Sequence, residues 1–249
     1  MPLLWIMLVA SPFIGSFLGV LALRLPEGRS FVASRSVCDR CGHVLAARDL
    51  VPIASFLALR GRCRYCGARI GGFVLFIELA AVLVAGWAGM QISGWVLVAT
   101  CFLGWTLLLL AIIDWRVQLL PDVLTLPLLA AGLVVTYAVS SETWPDHLIG
   151  AVAGFVTLAA IALVYRRLRG REGLGLGDAK LLAALGAWVA WQGLPTVLLW
   201  GSMLGLVFAL VRSMTGRGLQ WSDRIPFGVF LAAGGWLVWL YGPLMPALR

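Results

Sequence analysis

Five stretches of the chain, residues 1–23, 79–113, 123–141, 181–211 and 225–248, contain no charged residue at all. Only 30 of the 249 residues are charged, and 61% are hydrophobic. A soluble domain carries roughly a quarter charged residues, so this chain lacks the polar surface to dissolve as one. Disorder, a secreted disulfide scaffold and a nucleic-acid-binding domain are excluded on the same ground. The fold class this implies is an all-α polytopic membrane protein. A span needs about 20 mostly apolar residues. That length divides the chain into about eight transmembrane helices, at 3–23, 73–90, 95–113, 120–139, 147–165, 178–191, 195–211 and 226–242. The 181–211 run is divided at Gln192, Gly193, Leu194 and Pro195.

Arginine placement tests that count. With eight spans, loops 24–72, 114–119, 166–177 and 212–225 share one side and hold 17 of the 18 Arg. Basic loops stay in the cytoplasm, which puts both termini outside. The net charge of +8 then reflects topology and attraction to anionic inner-leaflet lipid. The first apolar segment lacks a basic leader and a cleavage site, so it reads as a retained span rather than a signal peptide.

Four of the five cysteines fall in the long 24–72 loop, as Cys38-Asp-Arg-Cys41 and Cys63-Arg-Tyr-Cys66. Each pair is followed by glycine, Gly42 and Gly67, as in a tight knuckle. Two knuckles make a tetrahedral four-thiolate site, and zinc is the metal this ligand set favours. Two disulfides or free thiols are the alternative, disfavoured in a reducing compartment. His43 is a possible substitute ligand. Cys101, inside the third span, reads as a small buried apolar residue.

Acids in or beside a membrane are costly and therefore functional candidates. Asp114 ends the third span, Asp122 follows Pro121, and Asp178 closes Gly173-Leu-Gly175-Leu-Gly177-Asp178-Ala-Lys180. The eight-span topology brings all three to the cytoplasmic boundary, where Asp114 and Asp178 can converge. Two carboxylates held close share a proton, which is the chemistry of aspartic proteases. The glycines before Asp178 lack the ending of a phosphate-binding loop; they permit close approach of an extended peptide instead. Competing structural roles are an N-cap for Asp122, an ion pair of Asp114 with Arg116 or Lys180, and a separate polar pocket or Arg partner for Glu78.

Taken in order, these motifs resemble the prepilin peptidase family, type IV prepilin leader peptidases related through Gly-x-Gly-Asp to preflagellin peptidases and presenilins. The resemblance runs from Gly15 to Pro26, through Arg35 and Ser36, Asp49 to Ser55 and Arg60 to Cys63. It continues through Glu78, Ile113 and Asp114, Pro121 and Asp122, Gly173 to Lys180, and Ile225 to Gly228.

The resemblance implies an aspartic endopeptidase of the bacterial inner membrane with Asp114 and Asp178 as catalytic pair. Gly175, Gly177, Lys180, Asp122, Pro226, Phe227 and Gly228 would support the site. Its substrates would be prepilins and pseudopilins of type IV pilus or type II secretion machinery, cut after Gly at the cytoplasmic face. The basic leader could be attracted by Asp122 and Glu172. The new N-terminus would then be methylated from S-adenosylmethionine, with Glu78 in the methyl-donor site. The partners implied are the pilins and the lipid bilayer, not nucleic acid. Domains follow as 1–92 (N-terminal region, with the 24–72 zinc loop and methyl transfer), 95–212 (peptidase core) and 213–249. Gly19 and Asp39 depart from the family's usual Asn and Pro, both in the methyl-transfer region. A peptidase without methyl transfer is the alternative, and a transporter or scaffold with a docking loop is a remote one.

Overall fold

A computed structural model describes residues 2–28, 36–170, 175–215 and 225–244. Among these the chain is helical, with no strand beyond two isolated bridges. The long apolar helices are α1 (Pro2–Arg24), α3 (Phe73–Gln91), α4 (Val96–Val117), α5 (Asp122–Val139), α6 (Trp144–Arg169) and α7 (Leu176–Met214). A five-residue α2 (Ala54–Ala58) lies in the cysteine loop, and a shorter apolar α8 (Phe227–Tyr241) follows α7. The chain forms two compact units, 1–109 and 110–249. Large apolar side chains such as Leu83, Met90, Val134 and Leu206 stay exposed on these helices, the arrangement of a surface bathed in lipid rather than water.

In the first unit, α1 packs along α3. Lipid tails are as apolar as leucine, so helices in a membrane associate through close backbone approach at small residues. Accordingly α3 buries Ile77, Ala81, Ala85 and Ala88 on one stripe. A Cβ on Gly15 would sit 2.6 Å from the Cα of Glu78. Trp105 of α4 donates its indole N–H to the carbonyl of Ala81, 3.0 Å away. Cys101 is fully buried, as its apolar setting predicts.

In the second unit, α7 packs against α5, α6 and α8. A straight helix of its 39 residues would be roughly 58 Å long, about twice the hydrocarbon thickness of a bilayer. The helix is broken at Ala190, whose φ of 59° and ψ of 178° are non-helical. The two expected spans therefore exist as 176–189 and 191–214, but they divide at Ala190 rather than at 192–195. Partner helix α6 sets the place. A Cβ on Gly150 would lie 2.7 Å from the Ala190 carbonyl carbon, leaving no room for a side chain beside the break. His147 contacts the carbonyl of Ala187 through Nδ1 at 3.1 Å. Asp146 accepts from Gln192 at 2.9 Å and from the Trp191 indole at 3.2 Å. These contacts satisfy polar groups that a broken helix leaves without partners.

Candidate active site

The second unit gathers Asp114, Asp122, Asp178 and Gly228 through four helix ends. Asp114 lies in the last turn of α4 and is only 5% exposed. A carboxylate there faces the negative end of its own helix dipole. It is stabilised by the opposite kind of end: Val229, in the first turn of α8, donates its N–H to Asp114 Oδ2 at 3.1 Å. Pro226 stands at the N-cap of α8, where no N–H is required. Phe227 opens the helix. Gly228 has no alternative, since a Cβ there would lie 2.9 Å from Asp114 Oδ2 and 3.0 Å from Leu120 Cδ1.

Asp178 lies in the first turn of α7, behind the N-cap Gly175, and its N–H reaches the Gly175 carbonyl at 3.2 Å. Here the helix dipole favours a carboxylate. The two aspartates sit on helix ends that share Leu120 as a neighbour. They are unequally accessible, Asp114 buried and Asp178 half-buried. Leu120 ties the ends together. It is buried, and it bounds both Gly177, where a Cβ would lie 3.0 Å from Leu120 Cβ, and Gly228. Sequence reasoning missed Leu120, and no sequence signal marks it, because its role lies in packing against Gly177 and Gly228.

Lys180 and Asp122 form a bidentate ion pair, with both oxygens 2.7 Å from Nζ. Asp122 is thus not an N-cap: Pro121 occupies that position, and the carboxylate turns to α7 instead. Lys180 belongs to Asp122 rather than to Asp114. Glu172 and Gly173 lie outside the described residues.

In the first unit, the sulfur atoms of Cys38, Cys41, Cys63 and Cys66 all lie within 4.8 Å of one another, a cluster that can hold a metal ion. Two matching knuckles build it. Gly42 and Gly67 have φ of 67° and 70°, the left-handed region that only glycine enters freely. Their N–H groups bond back to the Cys38 and Cys63 carbonyls at 2.8 and 2.9 Å. Backbone N–H groups of Cys41 and then Arg40 bring the Cys38 thiol down to about 7, toward the thiolate a metal requires. His43 stays outside the cluster and stacks on Tyr65, ring centroids 3.6 Å apart. Asp49 braces the loop: it accepts from Arg64 at 2.6 Å and Tyr65 at 3.2 Å, and the Arg64 guanidinium holds its carboxyl below the usual range.

Glu78 is 5% exposed, and its Oε2 accepts the Ile53 N–H at 2.7 Å. Of the two settings expected for it, Glu78 lies on the wall of a polar pocket in its own unit.

A polytopic α-helical membrane protein, with two carboxylates drawn together at helix ends and a separate four-thiol cluster, is the class that fold and site define. Residues 101–210 match the family model described as the type IV leader peptidase family, and residues 9–92 match the bacterial peptidase A24 N-terminal domain. The chain belongs to the type IV leader peptidase family. It is 39% identical over 258 residues to a protein of Aeromonas salmonicida (strain A449) named prepilin leader peptidase/N-methyltransferase, covering 93% of this chain and 88% of that one. A Burkholderia pseudomallei (strain 1026b) protein of the same name is 42% identical over 219 residues, covering 88% and 71%. One from Pseudomonas aeruginosa is 36% identical over 253 residues, covering 92% and 87%. No solved structure gives a significant match.

Proposed function

We propose that this chain is a membrane aspartic endopeptidase that removes the short basic leader of type IV prepilins and pseudopilins, then methylates the new N-terminus from S-adenosylmethionine. What supports the reading is the placement of Asp114 in the last turn of α4 and Asp178 in the first turn of α7, both beside Leu120, in a family whose relatives bear that double name.

Two carboxylates held close cannot both ionise, so a catalytic pair holds one proton. The ionised carboxylate takes a proton from water as the oxygen attacks the scissile carbonyl. The protonated one donates to the carbonyl oxygen, and the departing amine is protonated as the C–N bond breaks. Exposed Gly175 leaves space for an extended substrate backbone beside Asp178, Gly177 admits Leu120, and the Lys180–Asp122 pair fixes the start of α7 against the start of α5. The 95–212 region carries this chemistry, completed by Pro226, Phe227 and Gly228.

The arginine distribution favours a cytoplasmic site with both termini outside. A prepilin's basic leader then stays in the cytoplasm while its apolar helix enters the bilayer, bringing the scissile bond to the aspartates. In the cysteine loop, Cys38, Cys41, Cys63 and Cys66 would hold zinc. Tetrahedral Zn–S bonds of about 2.3 Å put sulfurs roughly 3.8 Å apart, and Cys38 Sγ and Cys66 Sγ lie 3.9 Å apart. Its contribution is structural, because four thiolates leave no open coordination position.

Purified protein incubated with a prepilin peptide and S-adenosylmethionine should yield the shortened peptide carrying one extra methyl group by mass spectrometry. An uncut peptide would overturn the reading, and a cut but unmethylated one would overturn its second half. Gly228→Ala is expected to push α8 off Asp114, an overpacking of about 1–3 kcal/mol. Cleavage should slow about 10²-fold, the usual cost of an ångström of misplacement, with substrate binding little changed; steady-state kinetics on the same peptide checks this.

A further inference from the structure

The two cysteine knuckles of the first unit are built alike but differ in the side chains they pair. Each closes on an antiparallel bridge, Val37 with Val44 in the first and Arg62 with Arg69 in the second. Hydrogen bonds flank each bridged pair, and none joins the pair itself. In the first knuckle the Cys38 N–H reaches the His43 carbonyl at 3.0 Å and the Leu45 N–H the Ser36 carbonyl at 2.9 Å. In the second, the Cys63 N–H reaches the Ala68 carbonyl at 2.8 Å and the Ile70 N–H the Gly61 carbonyl at 2.7 Å. A non-hydrogen-bonded pair of this kind holds its Cα atoms about 4.5 Å apart, with both side chains on one face.

Two valines suit such a position, because β-branched cross-strand pairs are favourable. The second knuckle instead sets two exposed arginines against each other. Like charges directly opposite are destabilising, and among the described residues neither arginine has an ion pair. Asp49 is already engaged by Arg64 and Tyr65. The pair does not serve the thiols, because successive residues of an extended strand point to opposite faces: Cys63 turns inward and is 4% exposed, while Arg62 beside it stands on the outer face. The backbone fixes the arrangement. Arg60 and Gly61 have φ of 50° and 65° in succession, and a Cβ on Gly61 would lie 2.9 Å from Cζ of Phe56. That turn leads the chain out of α2 and delivers Arg62 to its bridge, so the two guanidiniums are held together in advance of any ligand.

A guanidinium fork fits phosphate oxygens bidentately, and two forks on one face suit a single phosphate. The chain sets which phosphate is at hand. Arg69 precedes Phe73, the first residue of α3, by four residues, a reach of at most roughly 14 Å. Lipid headgroups occupy about 5–7 Å beyond the hydrocarbon on each side, within that reach. Tyr65 and Ile70 of the same knuckle are exposed, as amphipathic and apolar side chains at a membrane interface are. We propose that Arg62 and Arg69 clamp the phosphate of an anionic phospholipid and so fasten the second knuckle to the membrane surface beside α3. The inference goes beyond the proposed function and does not depend on the aspartate chemistry.

Titration of the delipidated full-length protein in detergent with phosphatidylglycerol, and separately with zwitterionic phosphatidylcholine, tests it, bound lipid being counted by native mass spectrometry. Phosphatidylglycerol should bind about tenfold or more tightly than phosphatidylcholine; equal affinities would overturn the clamp. Arg62→Val with Arg69→Val copies the valine pair of the first knuckle. It should bring phosphatidylglycerol down to the phosphatidylcholine level and raise the melting temperature of the lipid-free protein, because the repulsion is gone. Arg40→Gln with Arg48→Gln removes the same charge from exposed arginines outside the pair and should keep most of the binding. Equal loss in both double variants would replace the clamp by diffuse attraction. Displacement of the lipid by millimolar inorganic phosphate would overturn the lipid assignment in favour of free phosphate. Loss of bound zinc from the valine variant would show that the pair serves the thiol cluster instead. Arg62→Lys with Arg69→Lys keeps the charge and carries the test should the valine variant fail to fold: the lost forks should still weaken phosphatidylglycerol binding, and unchanged affinity would overturn the clamp.

Discussion

Asp114→Asn should eliminate leader removal while the protein still inserts and folds. The amide keeps an oxygen at Oδ2's place for the Val229 N–H, so the anchor of α8 survives and the lost activity reports the chemistry alone. Asp178→Asn should do the same, because the Asp178 contact with Gly175 is made by its backbone. Loss of a general acid or base costs about 10²–10⁴-fold. Groups that act as a unit are non-additive, so the double variant should be no worse than either single one. The measurement is processing of a co-expressed prepilin on a denaturing gel, beside the amount of membrane-inserted enzyme. Full processing by either variant would sink the pair assignment.

The second large effect concerns the metal. Cys38→Ser combined with Cys63→Ser takes one ligand from each knuckle and should reduce bound zinc from one per chain to none, as read by elemental analysis. Structural zinc contributes on the order of 10–16 kcal/mol in small metal-folded modules, so the 36–70 segment should become sensitive to limited proteolysis. Both aspartates belong to the other compact unit, and leader removal should therefore suffer less than methyl transfer. Unchanged zinc content would mean the cluster had been misread.

Much of the architecture was legible in the sequence because charge and bilayer thickness bound the helices. The ends of α1 at Arg24 and α6 at Arg169 fall where arginines begin or accumulate. The four-cysteine cluster was legible because few positions in such a chain carry thiols, and Asp114 and Asp178 stood out as acids in a chain with few charges. What escaped depends on partners distant along the chain. The break at Ala190 is set by Gly150, His147 and Asp146 of α6, not by the nearby Pro195. Asp122 looked like a cap because its sequence neighbours fit one; its actual partner, Lys180, is 58 residues away. Leu120 carries no chemistry of its own, and only the packed structure reveals that Gly177 and Gly228 are shaped around it.

Two of the helices that bear on the aspartates are short, although α4 itself has 22 residues. α8 has 15 residues, a rise of roughly 22 Å, and the 176–189 part of α7 is no longer. A hydrocarbon core of about 30 Å overhangs both. Such hydrophobic mismatch is relieved by local thinning of the bilayer, at fractions of a kcal/mol per ångström. Thinning beside α8 would draw the lipid inward there and bring water deeper. Hydrolysis requires water, and helices of this length offer it a route toward the carboxylates.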